Sequence, residues 1–182
     1  MITGIYFLSS KDFSLKESIE GKLLSLDNDI KGIQLVLFYS NTCEFCDNVM
    51  KEFKKLPEKV MGCSFSMINV NHNNDVVQLS KQTVSPLTYV PELILFIDNL
   101  PYIKYEGDPT IDEIQKFIRS VSNTIEKNSF VQTNTNNKVD DILAPALETS
   151  SISNNLLLEL DQPVSKKSKK VCYLQDDTFI CT

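Results

Sequence analysis

Short apolar runs alternate along the chain with stretches in which apolar residues recur at helical spacing. The apolar runs predict five strands, at 4–8, 33–39, 64–70, 92–97 and 102–105. Apolar residues that recur every three or four positions predict helices over 13–26, 46–56, 76–82 and 109–125. Helices between the early strands imply parallel pairing through right-handed crossovers, and the last two strands form an antiparallel pair. The order predicts an α/β sandwich.

The polarity of the chain changes near residue 128. Residues 128–138 are rich in Asn, Thr and Gln and have no periodic apolar face, which predicts a linker. We therefore expect one domain over 1–127, and a polar linker with a C-terminal extension over 128–182. The extension contains short apolar segments at 142–147 and 156–160, and a basic cluster of Lys166, Lys167, Lys169 and Lys170. Apolar segments on a polar tether favour docking, so we expect a docking partner for 139–182.

Composition and charge narrow the class of protein. The net charge of -6 makes nucleic acid an improbable partner. No apolar run approaches the length of a membrane span, and the first residues lack the basic region and cleavage site of a signal peptide. Five cysteines leave at least one thiol unpaired within the chain. We therefore expect a cytoplasmic protein in a reducing compartment, where a close cysteine pair is more often redox-active or metal-binding than structural.

The pair Cys43 and Cys46 lies where a predicted buried strand passes into a helix. Two intervening residues separate the cysteines by one helical turn, which a disulfide can close. Unpaired amides and the dipole at the helix start favour a thiolate at Cys43. Cys46 falls on the apolar stripe and is expected to be buried. We therefore predict that Cys43 attacks and Cys46 resolves the mixed disulfide. The alternatives are half a metal site, disfavoured because His72 is the single histidine, and a redox-inactive remnant of the fold.

Residues 1–125 resemble a thioredoxin domain. The resemblance rests on the cysteine pair at a helix start, on Val90 and Pro91 before an apolar strand, and on Gly107 before the last helix. It implies a three-layer α/β/α sandwich with a mixed central sheet. Beyond this domain we expect an irregular C-terminal extension, with a hairpin at its end as a candidate element. The resemblance also implies a cis-proline at Pro91, a Val90 backbone that binds a substrate strand, protein disulfide or dithiol substrates, and no cofactor or metal.

Three positions depart from the thioredoxin pattern. Thr42 replaces the usual Trp, Glu44 and Phe45 replace Gly-Pro, and Leu37 replaces the buried acid. Glu44 also brings negative charge towards Cys43. We expect a thiol–disulfide oxidoreductase with a modest nucleophile. The alternative is a non-catalytic interaction module of a larger assembly such as a virion, with the C-terminal tail as its docking element. The missing Trp and buried acid favour the module, whereas the intact cysteine pair favours the enzyme. The composition also resembles thioredoxin-domain proteins of large DNA viruses, which a virion component fits.

The last twelve residues contain a second cysteine pair. Cys172 and Cys181 flank a strand-like stretch around Asp176 and Asp177, and a turn centred on the two aspartates places the cysteines opposite each other. That register allows a disulfide that exchanges with Cys43 and Cys46. The sequence leaves two interpretations open, an auxiliary redox pair and two independent free thiols.

Overall fold

The computed structural model of the chain describes residues 4–135 and 170–181. The apolar segments at 142–147 and 156–160, and the basic residues Lys166, Lys167 and Lys169, lie outside the described residues. Lys170 is described and is exposed.

The described residues form ten strands, four helices and one 3-10 turn at Ser10–Asp12. The strands are β1 Ile5–Phe7, β2 Phe13–Ser18, β3 Gly21–Leu26, β4 Ile33–Tyr39, β5 Cys63–Asn69, β6 Tyr89–Val90, β7 Glu92–Ile97, β8 Leu100–Lys104, β9 Cys172–Gln175 and β10 Thr178–Cys181. The helices are α1 Glu44–Phe53, α2 Leu56–Lys59, α3 Asn74–Ser80 and α4 Ile111–Thr135.

A five-stranded mixed sheet lies at the centre, in the order β1-β5-β4-β7-β8. β1, β5 and β4 run parallel, whereas β7 is antiparallel to β4 and β8 is antiparallel to β7. The parallel connection from β4 to β5 runs through α1 and α2, because adjacent parallel strands need a long crossover. The predicted α/β sandwich with a mixed central sheet is confirmed.

Two apolar cores cover the two faces of this sheet. On one face, α1, α2 and α4 bury Phe53, Phe65 and Phe117 among leucines of β4 and β7. On the other face, α3 and the β2–β3 hairpin pack against Phe38 and Phe96. The side chains of a strand point alternately to opposite faces, so β4 contributes to both cores and is buried throughout its middle. All four aromatic side chains predicted for the core, Phe38, Phe53, Phe96 and Phe117, are buried.

The helix predicted over 13–26 is wrong. This stretch forms the antiparallel hairpin of β2 and β3, in which Ser18 lies opposite Gly21. Ile19, which the prediction placed on an apolar helix face, lies in the two-residue turn and is 92% exposed. Gly21 has a φ of +128°, which other residues rarely adopt, and this favours the turn. Phe13, which the helical spacing omitted, is buried against Phe38 with ring centroids 5.7 Å apart.

Two helix boundaries also differ from the prediction. α1 ends at Phe53, and Pro57 lies in the first turn of α2, where proline requires no hydrogen-bond partner. α4 continues to Thr135, so residues 128–135 are helical rather than linker. Extension of an existing helix adds a backbone hydrogen bond per residue without the cost of nucleation, which explains how a polar stretch joins it.

Within the otherwise irregular extension that we expected, residues 172–181 form the hairpin that the sequence suggested around Asp176 and Asp177. β9 and β10 form a hairpin, and β9 pairs with β6 to give a three-stranded sheet. Asp176 and Asp177 occupy the turn with φ of 44° and 65°. Pairing with β6 gives the hairpin a third strand. This stabilises it, since an isolated two-stranded hairpin is only marginally stable in water.

Candidate functional site

A short turn after β4 places the cysteine pair at the start of α1. The Thr42 backbone N–H donates to the Ser40 hydroxyl at 3.1 Å, and the Cys43 N–H donates to the Ser40 carbonyl at 3.2 Å. Cys43 then occupies the N-cap of α1, and Cys46 lies in the first helical turn with its N–H donating to the Cys43 carbonyl at 3.1 Å. Both cysteines are free thiols and both are buried.

The environment of the Cys43 sulfur favours its ionised form. A hydrogen bond from the Cys46 thiol is the largest cause, and it lowers the pKa of Cys43 to about 7. The backbone N–H groups of Cys46 and Phe45 act in the same direction, whereas burial and the negative charge of Asp47 oppose it. The lowered pKa of Cys43 agrees in direction with the sequence analysis, which attributed the effect to the unpaired amides and the dipole at the start of the helix.

The second cysteine behaves in the opposite way. The pKa of Cys46 is raised far above that of a free thiol, first because its thiol donates to the Cys43 sulfur and next because it is buried. The charge of Asp47 contributes in the same direction. The pair therefore holds one proton tightly at Cys46 while Cys43 ionises near neutral pH.

Val90 and Pro91 lie directly beside the cysteine pair. The peptide bond between them is cis. The Cys43 thiol, when protonated, donates to the Val90 carbonyl at 3.6 Å. The structure therefore brings together the four residues that the sequence analysis singled out here: Cys43, Cys46, Val90 and Pro91.

The C-terminal hairpin lies on top of this site. Val90 pairs with Cys172 in the antiparallel register of β6 and β9. Cys172 and Cys181 lie opposite each other and form a disulfide. The sulfurs of Cys43, Cys172 and Cys181 all lie within 4.8 Å of one another, and Cys43 is only 2% exposed. The sequence predicted the register of this hairpin but not its contact with the first pair.

Comparison with known proteins identifies the family at this point. The thioredoxin family model matches residues 24–120, which is more than half of the chain. The chain belongs to the thioredoxin family. The matched segment runs from β3 into α4 and includes Cys43, Cys46, Val90 and Pro91.

Two relatives come from invertebrate iridescent viruses, in agreement with the expected resemblance to viral thioredoxin-domain proteins. "Uncharacterized protein 196R" of Invertebrate iridescent virus 6 is 31% identical over 144 residues, which cover 79% of this chain and 71% of the relative. "Uncharacterized protein 020R" of Invertebrate iridescent virus 3 is 27% identical over 174 residues, which cover 94% and 93%.

Similar solved structures include parts of larger proteins. The zinc-bound form of human ERp44 matches with a TM-score of 0.48 and 17% identity, over 63% of this chain and 30% of the ERp44 chain. The Trx4 domain of ERdj5 matches with a TM-score of 0.47 and 15% identity, over 66% of this chain and 97% of that domain. This chain therefore spans under a third of the ERp44 chain.

Three other residues considered in the sequence are also described by the structure. His72 is exposed in the turn before α3, with its Nε2 3.5 Å from the Asn41 side-chain amide. Cys63 begins β5 and is half-buried, and burial raises its pKa to about 12. Leu37 is fully buried in the core, as its position in the family pattern implies.

Sequence reasoning missed two charged features of this thioredoxin domain. The negative charge of Asp47, in the first turn of α1, raises the pKa of both Cys43 and Cys46. Its position four residues after Cys43, about one helical turn away, was the sequence signal that could have identified it. Glu92 follows Pro91 and is buried, with an oxygen 2.7 Å from the Lys104 ammonium. No sequence signal linked Glu92 to Lys104, because their contact follows from the pairing of β7 with β8.

Among the described residues, a cluster of three sulfurs is the candidate group for a metal ion, at Cys43, Cys172 and Cys181. Two of these sulfurs are bonded to each other, so they are not metal ligands in this state.

The helices described in the structure include none that is both long and apolar enough to cross a membrane.

Proposed function

We propose that this protein is a thiol–disulfide oxidoreductase that acts on protein substrates through Cys43 and Cys46. The supporting observation is the set of hydrogen bonds at the Cys43 sulfur, which lowers its pKa to about 7. A thiol with this pKa is about half ionised at neutral pH, whereas an unperturbed thiol is ionised to a few per cent, and the thiolate is the attacking species.

The reaction proceeds in two exchanges. The Cys43 thiolate attacks one sulfur of a protein disulfide, and the other substrate sulfur leaves as a thiolate and takes up a proton from water. Cys46 then loses its proton to water, and its thiolate attacks the Cys43 sulfur. The bond between Cys43 and the substrate sulfur breaks, and the released substrate thiolate takes up a proton. The products are a Cys43–Cys46 disulfide and a substrate dithiol, so two electrons pass from the protein to the substrate. The reverse sequence oxidises a substrate dithiol.

The two steps are coupled through the charge on Cys43. The strongest cause that raises the pKa of Cys46 is its hydrogen bond to the Cys43 sulfur. Once Cys43 is bound to a substrate sulfur, it carries no charge, so the pKa of Cys46 falls and resolution becomes possible. This coupling makes the second exchange follow the first without the buried acid that Leu37 replaces.

A second candidate function is a non-catalytic interaction module of a larger assembly such as a virion. Two observations favour it: Cys43 is almost inaccessible beneath the hairpin, and the Val90 edge is already paired with Cys172. In that function the C-terminal hairpin stabilises the site, and the partner contacts another surface.

Reduction of insulin by dithiothreitol, in the presence and absence of the protein, separates these functions. The oxidoreductase predicts acceleration by the wild type, loss of acceleration in Cys43→Ser, and full acceleration in the control Cys63→Ser. Cys63 is a suitable control because it lies on β5, outside the paired cysteines. Equal and negligible rates for all three proteins would favour the interaction module.

A further inference from the structure

The C-terminal hairpin is held to the site by contacts on both of its strands and at its turn. The Leu174 backbone N–H donates to the Thr88 carbonyl at 2.9 Å, next to the pairing of β9 with β6. The rings of Tyr89 and Tyr173 meet edge to face with centroids 6.2 Å apart. The hairpin is therefore docked in a defined register beside Cys43.

The turn of the hairpin is anchored to α3. The Asp177 carboxylate lies 2.6 Å from the Lys81 ammonium, just after α3, and accepts a hydrogen bond from the Gln78 amide at 2.8 Å. Lys81 and Gln78 together lower the pKa of Asp177, so this carboxylate stays ionised at neutral pH. These contacts are exposed, so each contributes little to the free energy of docking.

We propose that the Cys172–Cys181 disulfide is an internal substrate of Cys43, and that β9 occupies the edge of β6 where an external substrate strand would pair. The proposal rests on the proposed function, since it uses the same attacking sulfur. Three observations support it: β9 pairs with the backbone of Val90, the disulfide sulfurs lie within 4.8 Å of the Cys43 sulfur, and both members of the first pair are thiols while the second pair is oxidised.

The exchange is balanced within the chain. The Cys43 thiolate attacks Cys172, the Cys172–Cys181 bond breaks, and Cys181 leaves as a thiolate that takes up a proton. Cys46 then loses its proton and attacks Cys43, and Cys172 leaves as a thiolate and is protonated in turn. The first pair ends as a disulfide and the second as two thiols, with no external oxidant or reductant.

Burial distinguishes the two sulfurs of the hairpin. Cys172 is fully buried opposite Val90, whereas Cys181 is half-buried near the end of the chain, with its sulfur 3.9 Å from the Thr42 carbonyl oxygen. Attack at Cys172 expels the more accessible sulfur, whose thiolate water can solvate. We therefore assign Cys172 as the sulfur that joins Cys43 in the mixed disulfide.

A Cys46→Ser chain that retains the hairpin disulfide tests this exchange directly. Without Cys46 the reaction stops at the mixed disulfide, and iodoacetamide captures the released Cys181 thiol. After acid quenching, peptide mass mapping should find Cys43 joined to Cys172 and one alkyl group on Cys181. In a Cys43→Ser control this product should be lost, with Cys172 and Cys181 still joined.

A second measurement on the wild type covers the case in which Cys46→Ser fails to fold. The wild-type chain carrying one disulfide should contain both the Cys43–Cys46 and the Cys172–Cys181 forms after incubation at neutral pH. A wild-type chain in which the disulfide never redistributes would overturn the proposal, whether or not Cys46→Ser folds.

The failure of this inference is distinguishable from failure of the proposed function. Insulin reduction is measured in parallel on a Cys172→Ser/Cys181→Ser chain, which has no internal disulfide. If insulin reduction depends on Cys43 but no internal exchange occurs, the Cys172–Cys181 disulfide is not a substrate of Cys43, whereas the proposed oxidoreductase function is retained. Absence of both internal exchange and insulin reduction would reject the two proposals together.

Discussion

Replacement of Cys46 by alanine should raise the pKa of Cys43, because it removes the hydrogen bond that contributes most to the low value. The pKa of Cys43 is lowered from 9.0 to about 7. At about 1.4 kcal/mol for each pKa unit, this corresponds to roughly 3 kcal/mol in favour of the thiolate.

The change in thiolate population is large at neutral pH. A thiol with a pKa of about 7 is about half ionised there, whereas one returned to 9.0 is ionised to about 1%. Complete loss of the shift would thus reduce the thiolate roughly fifty-fold. The backbone N–H donors remain in Cys46→Ala, but burial and Asp47 oppose them, so we expect a fall of at least about tenfold.

The assay is titration of the ultraviolet absorbance of the thiolate. The titration uses chains that also carry Cys172→Ser and Cys181→Ser, so that no internal disulfide can exchange with Cys43. The step near neutral pH then reports on Cys43, because burial raises the pKa of Cys63 to about 12 and the pKa of Cys46 is raised far above that of a free thiol. A Cys43→Ser chain should lack this step. Cys46→Ser is the matched control, since its hydroxyl can still donate to the sulfur, and it should raise the pKa less than Cys46→Ala. An unchanged neutral step in Cys46→Ala would refute the assigned cause.

Two further changes test separate parts of the account. Asp47→Asn should lower the pKa of Cys43, because the negative charge of the carboxylate opposes ionisation of the thiol. In the same titration its step should lie at lower pH than that of Glu44→Gln, a control that removes one negative charge from the same helical turn. Identical steps in the two variants would contradict the role of Asp47. Gly21→Ala should destabilise the β2–β3 hairpin by about 1–3 kcal/mol, since Gly21 has a φ of +128° and an added Cβ would lie 2.7 Å from a neighbouring side-chain carbon. Urea denaturation measures this against Gly4→Ala, where no atom lies within 4 Å of the added Cβ, and equal stability of the two variants would refute it.

The parts of the fold that follow from local pattern were predictable. β4 is a nearly continuous apolar run, interrupted by Gln34, that is buried on both faces, and α1 begins directly after Cys43. The register of Cys172 and Cys181 followed from two aspartates at a turn, because a two-residue turn fixes which residues lie opposite each other. In each case, neighbours in sequence determine the structure.

The parts that depend on distant contacts were not predictable in this way. Leu15, Ile19 and Leu23 have helical spacing, yet the stretch is a hairpin in which Phe13 packs against Phe38, and this contact between distant residues is not visible in the local pattern. The docking of β9 on Val90 joins residues that are far apart in sequence, and no periodicity encodes it. For the same reason the burial of Cys43 beneath the hairpin could not be read from the chain.

Trapping of a protein substrate tests the central claim most directly. A Cys46→Ser chain that also carries Cys172→Ser and Cys181→Ser has Cys43 and Cys63 as its remaining cysteines. Incubated with insulin, it should form a covalent complex that dithiothreitol releases and that mass mapping assigns to Cys43. A complex joined through Cys63, or no complex at neutral pH, would contradict the assignment of Cys43 as the attacking sulfur.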